Sequence, residues 1–186
     1  LARALAPASA HVVDLRDLDA LPALVATIER AGGPLDGLVN CAGIMHVRQL
    51  ASWRWEDAHD LLTIDLLAPL RLQDLVVRGL VERGQGGVLV NVASMAGRVP
   101  LKGCAYYGGA KAGLAMASEI ARAELAGHGV RVVTVYPGPV RSALERGARA
   151  EYAAGVVARA IPTGDPGELA ARVLRAIVDD EPRVVY

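Results

Sequence analysis

Gly87-Val88-Leu89-Val90-Asn91-Val92-Ala93-Ser94 is an almost unbroken apolar run that ends on a hydroxyl, and thirteen residues later Tyr107-Gly108-Gly109-Ala110-Lys111 sets a phenol four positions before an amine. A strand with so little polar alternation is buried on both faces, as in a parallel sheet covered by helices. Residues four apart on a helix share a face, with Cβ atoms about 5–6 Å apart, so the Lys111 cation can stabilise a Tyr107 phenolate. That phenol becomes a usable proton donor and acceptor. Ser94 can hold a substrate oxygen beside it.

Outward from this run, strand-like and helix-like patterns alternate. Ala10-His11-Val12-Val13-Asp14 reads as a short strand, and Asp19 to Ala31 as a helix with apolar Leu21, Leu24, Val25 and Ile28. Pro22 falls in its first turn, where the missing N–H is harmless, and Gly32 ends it. Leu35 to Asn40 reads as the next strand. A long helix is expected from Ser52 to about Val81, with Glu56 and Asp57 at the positive end of its dipole. A second long helix is expected from Cys104 to Gly127; its glycines cost about 1 kcal/mol each relative to alanine, which calls for a packing reason. Val130 to Val135 reads as a strand. Asp165-Pro166-Gly167-Glu168 opens a helix, with Asp165 as N-cap and Glu168 reaching back in a capping box, and Arg183 to Tyr186 makes a last strand. The fold expected is α/β, a doubly wound parallel sheet with right-handed crossovers.

Composition agrees with one domain over residues 1–186: 53% of the residues are hydrophobic and 22% charged, a globular balance. A formal charge of zero gives no electrostatic reason for binding nucleic acid or an anionic membrane. Four arginines between Arg141 and Arg159 suit a solvated surface better than an acidic substrate. No apolar stretch reaches the ~18 residues of a membrane span, and nothing resembles a secretory signal, so a cytoplasmic protein is expected. Cys41, Cys104 and the scattered His11, His46, His59 and His128 have no metal-binding spacing, and no metal site is expected.

Asn40-Cys41-Ala42-Gly43, the Ala93-Ser94-Met95-Ala96-Gly97 segment, the Tyr107 to Lys111 box and Tyr136-Pro137-Gly138-Pro139-Val140 follow one another in an order that resembles the classical short-chain dehydrogenase/reductase family. The resemblance runs from Asp14 to about Ser142 and more loosely beyond. It implies a Rossmann-like, three-layer fold and an oxidoreductase that transfers a hydride between NAD or NADP and a secondary alcohol or carbonyl of a small-molecule substrate. In that reading Tyr107 is the general acid/base, Lys111 lowers its pKa and holds the nicotinamide ribose, and Ser94 orients the substrate oxygen. Asn40, Ala42 and Gly43 lie against the adenosine ribose and support the central strand. Asp14 and Leu15 take the place of adenine contacts, although Asp14 reads equally well as a turn residue. Pro137, Gly138 and Val140 approach the nicotinamide carboxamide, with Ser142 where a threonine is common. Residues 139–162 form the substrate loop, whose Leu144, Tyr152, Val156, Val157 and Ile161 mildly favour an apolar or amphipathic substrate. A homo-oligomer, dimer or tetramer, is implied through the two long helices, though a core could absorb their apolar surplus equally well.

Two departures qualify the resemblance. No glycine-rich turn precedes a helix before Asn40, so the chain is read as lacking the first β-α-β segment and as an N-terminally truncated piece of a longer polypeptide. Asp65 stands where the family has an asparagine. Its carboxylate either adds negative charge near Lys111 and weakens the action of that lysine on Tyr107, or is held by a backbone donor and does no harm; as a member of the catalytic set it is expected to leave activity intact but shifted. Competing readings are a non-catalytic cofactor-sensing or scaffold protein, and an NAD-dependent epimerase or dehydratase.

Overall fold

The computed structural model describes residues 8–151 and 162–186. Four parallel strands, β1 (Gly37–Asn40), β2 (Gly87–Val92), β3 (Val130–Tyr136) and β4 (Arg183–Val185), lie side by side in sequence order. The described α-helices are α1 (Leu21–Gly32), which precedes β1, and, after it, α2 (Trp55–Leu62), α3 (Ala68–Arg83), α4 (Ala105–Leu125), α5 (Ala143–Glu151) and α6 (Pro166–Val178).

Alternate residues of each strand feed opposite faces, as the twofold period of a strand requires. Leu89, Val130 and Val132 pack with Val76 and Leu80 of α3 and Leu125 of α4, whereas Val90, Val133, Val135 and Val184 pack with Ala176 of α6. The strands are therefore apolar on both sides, as the unbroken run at Gly87 to Ala93 demands. Among the described residues β1 is bonded only to β2, and Val39 on β1 is exposed.

The Ala10 to Asp14 segment is not a strand. Its residues run without a ladder partner into a turn in which the Asp17 N–H donates to the Asp14 carbonyl, and Val12 faces solvent. Apolar pattern alone does not make a strand when no neighbouring strand accepts its hydrogen bonds. The expected helix from Ser52 to Val81 is also interrupted. After α2, whose first turn carries Glu56 and Asp57 as expected, Thr63–Leu67 form a π-helical turn in which the Ala68 N–H donates five residues back to the Thr63 carbonyl. Pro69 explains it: without an N–H it cannot donate to the Asp65 carbonyl four residues earlier, and its ring crowds that carbonyl. The turn places Asp65 inside, fully buried.

The α4 glycines have their packing reason in part. A Cβ on Gly108 would stand 2.9 Å from the Ala96 carbonyl oxygen, and one on Gly97 2.7 Å from the Ala112 nitrogen, so the segment after β2 lies directly on α4. Gly109 meets nothing, and packing does not account for it. Asp165 caps α6 by accepting from the Gly167 and Glu168 N–H groups at 2.8 and 3.1 Å, but the reciprocal arm of the capping box goes elsewhere: Glu168 accepts from the Tyr186 hydroxyl at 3.0 Å, and that hydroxyl accepts from the Asp165 N–H.

Candidate active site

The carboxyl ends of β1, β2 and β3 lie side by side, and the loops leaving them carry the Asn40 to Gly43, Ser94 and Pro137 to Val140 segments. Open α/β sheets bind ligands at this edge. Ser94 has extended backbone geometry, and its Oγ accepts from the Ala96 N–H at 3.1 Å, starting the 3-10 turn Met95–Gly97. Its one hydroxyl proton can turn to the Tyr107 oxygen or to a substrate oxygen.

Tyr107 and Lys111 occupy successive turns of α4, both buried, with the Lys111 amine 5.8 Å from the centre of the Tyr107 ring. Tyr107 belongs to a hydrophobic cluster with Leu61 and Ala110, against which Ile44, Met45, Trp53, Leu62, Leu66, Ala96 and Tyr106 pack. Burial is the main reason its pKa is pushed up to about 12; a hydrogen bond from Ser94 acts the other way, and Asp65 and Cys104 raise it further. Tyr106, without a lysine partner, packs edge-on against Trp53 at 5.0 Å.

The amine of Lys111 is 2.9 Å from Asp65 Oδ1, an ion pair whose lysine and aspartate side chains are 5% and 0% exposed. This contact lacks hydrogen-bond alignment, since Oδ1 has no hydrogen-bond partner; the aligned bond from Nζ goes to the Val92 carbonyl at 3.2 Å. Asp65 Oδ2 accepts from the Ile44 N–H at 3.1 Å. Burial pushes the Asp65 carboxyl up, against the opposing pull of Lys111 and the Ile44 N–H. Asp65 thus lies against Lys111 while a backbone donor holds its other oxygen.

Gly43 belongs to this cluster. A Cβ there would come within 2.5 Å of Asp65 Oδ1 and 3.3 Å of Lys111 Nζ, so the absent side chain makes room for the ion pair. Asn40 faces inward, donating to Asn91 Oδ1 at 2.9 Å and to the Pro69 carbonyl at 3.4 Å. Ala42 is exposed beyond it. The Pro137 carbonyl accepts from Met95 N–H, Gly138 N–H donates to the Tyr186 carbonyl at 2.6 Å, and Val140 bridges to Gly164. Ser142 Oγ accepts from the Glu145 N–H at the start of α5, a capping role. Asp14 is a turn residue that binds the Arg16 backbone and guanidinium, with Leu15 half-buried next to it.

The Val92 carbonyl and Ile44 N–H escaped the sequence reading because any residue supplies those groups. So did the contact of Glu151 with His46 and the Val47 N–H, which joins the end of α5 to the loop after β1. Leu144 lies in α5, while Tyr152, Val156, Val157, Arg159 and Ile161 of the expected substrate loop lie outside the described residues. Among the described residues no cluster of metal-binding side chains occurs, and no helix is long and apolar enough to cross a membrane.

The short chain dehydrogenase family model matches residues 2–153. The ketoacyl reductase HetN of Nostoc is 36% identical over 127 residues, 68% of this chain and 44% of HetN. The 3-oxoacyl-[acyl-carrier-protein] reductase FabG of Vibrio cholerae is 32% identical over 158 residues, 83% of this chain and 64% of that protein. The chain therefore spans about half to two thirds of the length of these relatives. A short-chain dehydrogenase from Streptomyces avermitilis superposes with a TM-score of 0.84 at 25% identity, covering 99% of this chain and 72% of the other. With Ser94, Tyr107 and Lys111 gathered at the carboxyl edge of a parallel sheet, this chain belongs to the short-chain dehydrogenase/reductase family.

Proposed function

We propose that the protein is an oxidoreductase that moves a hydride between NAD or NADP and a secondary alcohol or carbonyl, with Tyr107 as general acid/base. The observation that carries this reading is the convergence of Ser94 and the Tyr107–Lys111 pair at one edge of the sheet. Two relatives are named ketoacyl and 3-oxoacyl reductases, which favours a carbonyl, and specifically a ketone, as the group reduced.

The residues present fit the nicotinamide half of such a carrier. An ammonium has three N–H donors; one on Lys111 goes to the Val92 carbonyl and the amine lies in ion-pair contact with Asp65, so a donor remains for a ribose hydroxyl. Pro137, Gly138 and Val140 after β3 and Ala42 and Gly43 after β1 would hold that half of the carrier, with Asn40 bonded to Asn91 at the end of β1. No glycine-rich turn opens a helix among the described residues, so no group is assigned to the pyrophosphate. The bound carrier supplies or accepts the hydride, and the protein's part is position and proton traffic. Ser94 holds the substrate oxygen, and the Tyr107 hydroxyl gives that oxygen a proton during reduction or takes it during oxidation.

The Lys111–Asp65 contact favours one second reading, a cofactor-binding member without turnover, because it engages the cation expected to activate Tyr107. Assays of the full-length protein with NADH and NADPH against a panel of ketones separate the two. Turnover that falls about 100-fold or more in Tyr107→Phe supports the enzyme; retention of the cofactor with no turnover supports the second reading. The same preparation tests self-association through the helices around the site, where Leu67, Met116 and Ile120 are exposed; a dimer or tetramer by light scattering is expected.

A further inference from the structure

Lys111 carries two roles in the reading above, lowering the pKa of the phenol and anchoring the ribose. The geometry separates them. Nζ lies 2.9 Å from a carboxylate oxygen and 5.8 Å from the centre of the Tyr107 ring, all within one buried cluster. A positive and a negative charge this close present a dipole rather than a net charge to a third group, and the potential of a dipole falls off much faster with distance. The result is the same if the proton passes from Lys111 to Asp65, because the pair then holds two neutral groups.

We propose that Asp65 is a positioning residue that cancels the charge of Lys111 as felt by Tyr107, so that Lys111 serves as an anchor for the ribose and Tyr107 remains protonated through neutral and moderately alkaline pH. The inference rests on the oxidoreductase reading for its consequence but not for its test. The other polar or titratable groups facing Tyr107 do not replace the lost cation: Ser94 after β2 is neutral, Cys104 before α4 has its thiol pushed up by burial, and Tyr106 beside it is a second phenol. Asp65 lies on the π-helical turn and Lys111 on α4, and the Ile44 N–H fixes the carboxylate from the loop after β1. The hydrophobic cluster that contains Tyr107 adds Leu61, Ala110 and their apolar neighbours around it.

The consequence is one of pH range. At a fixed pH the overall equilibrium sets the ratio of oxidation to reduction, and Asp65 cannot change it. What Asp65 moves is the pH at which Tyr107 gives up its proton, and with it the alkaline limb of reduction and the rising limb of oxidation.

The test reads Tyr107 directly, with no cofactor or substrate. The phenolate ultraviolet band is followed against pH in the parent and in Asp65→Asn, each corrected by subtracting the matching Tyr107→Phe protein. Asp65→Asn is expected to lower the Tyr107 midpoint by about one pH unit or more, a tenfold rise in its ionisation constant. An unchanged midpoint would mean that Asp65 does not offset the charge of Lys111 as felt by Tyr107, and the proposal is overturned. Because one buried partner without the other can destabilise the fold, the double variant Asp65→Leu, Lys111→Met gives a second reading: with both charges absent, Tyr107 should titrate where it does in the parent. If the double variant titrates a full unit higher than the parent, Lys111 was acting on Tyr107 after all, which also overturns the proposal. Absence of turnover in the full-length protein would sink the oxidoreductase reading and leave this titration standing.

Discussion

Two buried polar clusters lie against the same sheet and follow opposite rules. In one, Asn91 near the carboxyl end of β2 accepts from Asn40 on β1 at 2.9 Å and donates to Gln73 on α3 at 2.8 Å and to Ser118 on α4 at 2.7 Å. Every member is neutral and every contact is an aligned hydrogen bond. In the other, Asp65, Lys111 and Tyr107 bring two ionisable partners and a phenol into an apolar pocket, and Asp65 Oδ1 and the nearby Thr63 Oγ1 have no hydrogen-bond partner among the described residues. A satisfied neutral network specifies how helices and strands dock. Close-set charges in low dielectric shift ionisation at a cost in stability, the pattern of a working site. Four neighbouring elements, β1, β2, α3 and α4, are thus registered by the first cluster so that the second can be held in place.

Breaking the neutral cluster should have the largest effect on stability. Asn91→Ala removes the partner of Asn40 and leaves Gln73 and Ser118 facing a void between sheet and helices. Unsatisfied buried groups cost about 1–3 kcal/mol each, and we expect a loss of about 3–5 kcal/mol in urea denaturation. A loss below about 1 kcal/mol would mean that the network is incidental to docking. The Tyr107 phenolate titration, measured on whatever fraction stays folded, should be unaltered, because no charge has moved.

The contrast between the clusters also marks how far the sequence was legible. The apolar run at Gly87 to Ala93 identified β2 and its burial on both faces, since a parallel strand leaves that pattern in the residues themselves. The Tyr107–Lys111 spacing placed both on one helix face for the same reason. The π-helical turn was hidden because Thr63 to Leu67 matches an α-helical pattern on both sides; Pro69 was the available signal, as a residue that deprives the carbonyl four positions earlier of its donor. Ala10 to Asp14 misled because a strand depends on a neighbour that the segment itself does not encode. Asp65 was recognised as a charge near Lys111, but the direct contact depends on how deeply the π-turn places it. The backbone groups of Val92 and Ile44 carry no residue-specific mark at all.

A pair of glycine substitutions sharpens the comparison at the charged cluster. Gly43→Ala puts a methyl group 2.5 Å from Asp65 Oδ1, and the ion pair has to move or the loop after β1 has to lift. Overpacking of this kind costs about 1–3 kcal/mol, and a loss of about 1–2 kcal/mol is expected. Gly109→Ala is the control: its Cβ meets nothing within 4 Å and it lies in the interior of α4, so it should stabilise by up to about 1 kcal/mol. Equal effects of the two in thermal or urea denaturation would show that Gly43 is not there to make room for the pair.

The smallest effect is expected where charge is clustered but solvent can reach it. Glu119 on α4 receives hydrogen bonds from Arg122 and from Arg183 on β4, and lies at hydrogen-bonding distance from Thr134 and Tyr136. The Arg122 guanidinium first, then that of Arg183, holds its carboxyl at about 2, below the 4.5 of a free glutamate, against the opposing effect of partial burial. A carboxyl with a depressed folded value binds fewer protons folded than unfolded, so its contribution is complete above pH 4.5 and is lost as the pH falls from there toward 2. Glu119→Gln removes that dependence. Its stability should differ from the parent by under about 1 kcal/mol at neutral pH, the usual scale for ion pairs near the surface. The gap between the two should close between pH 4.5 and 2, as read by urea denaturation at successive pH values. A gap that is constant over this range would mean that Glu119 contributes through shape and not through charge. The charged contacts of this sheet would then matter energetically only where water is excluded, at Asp65 and Lys111.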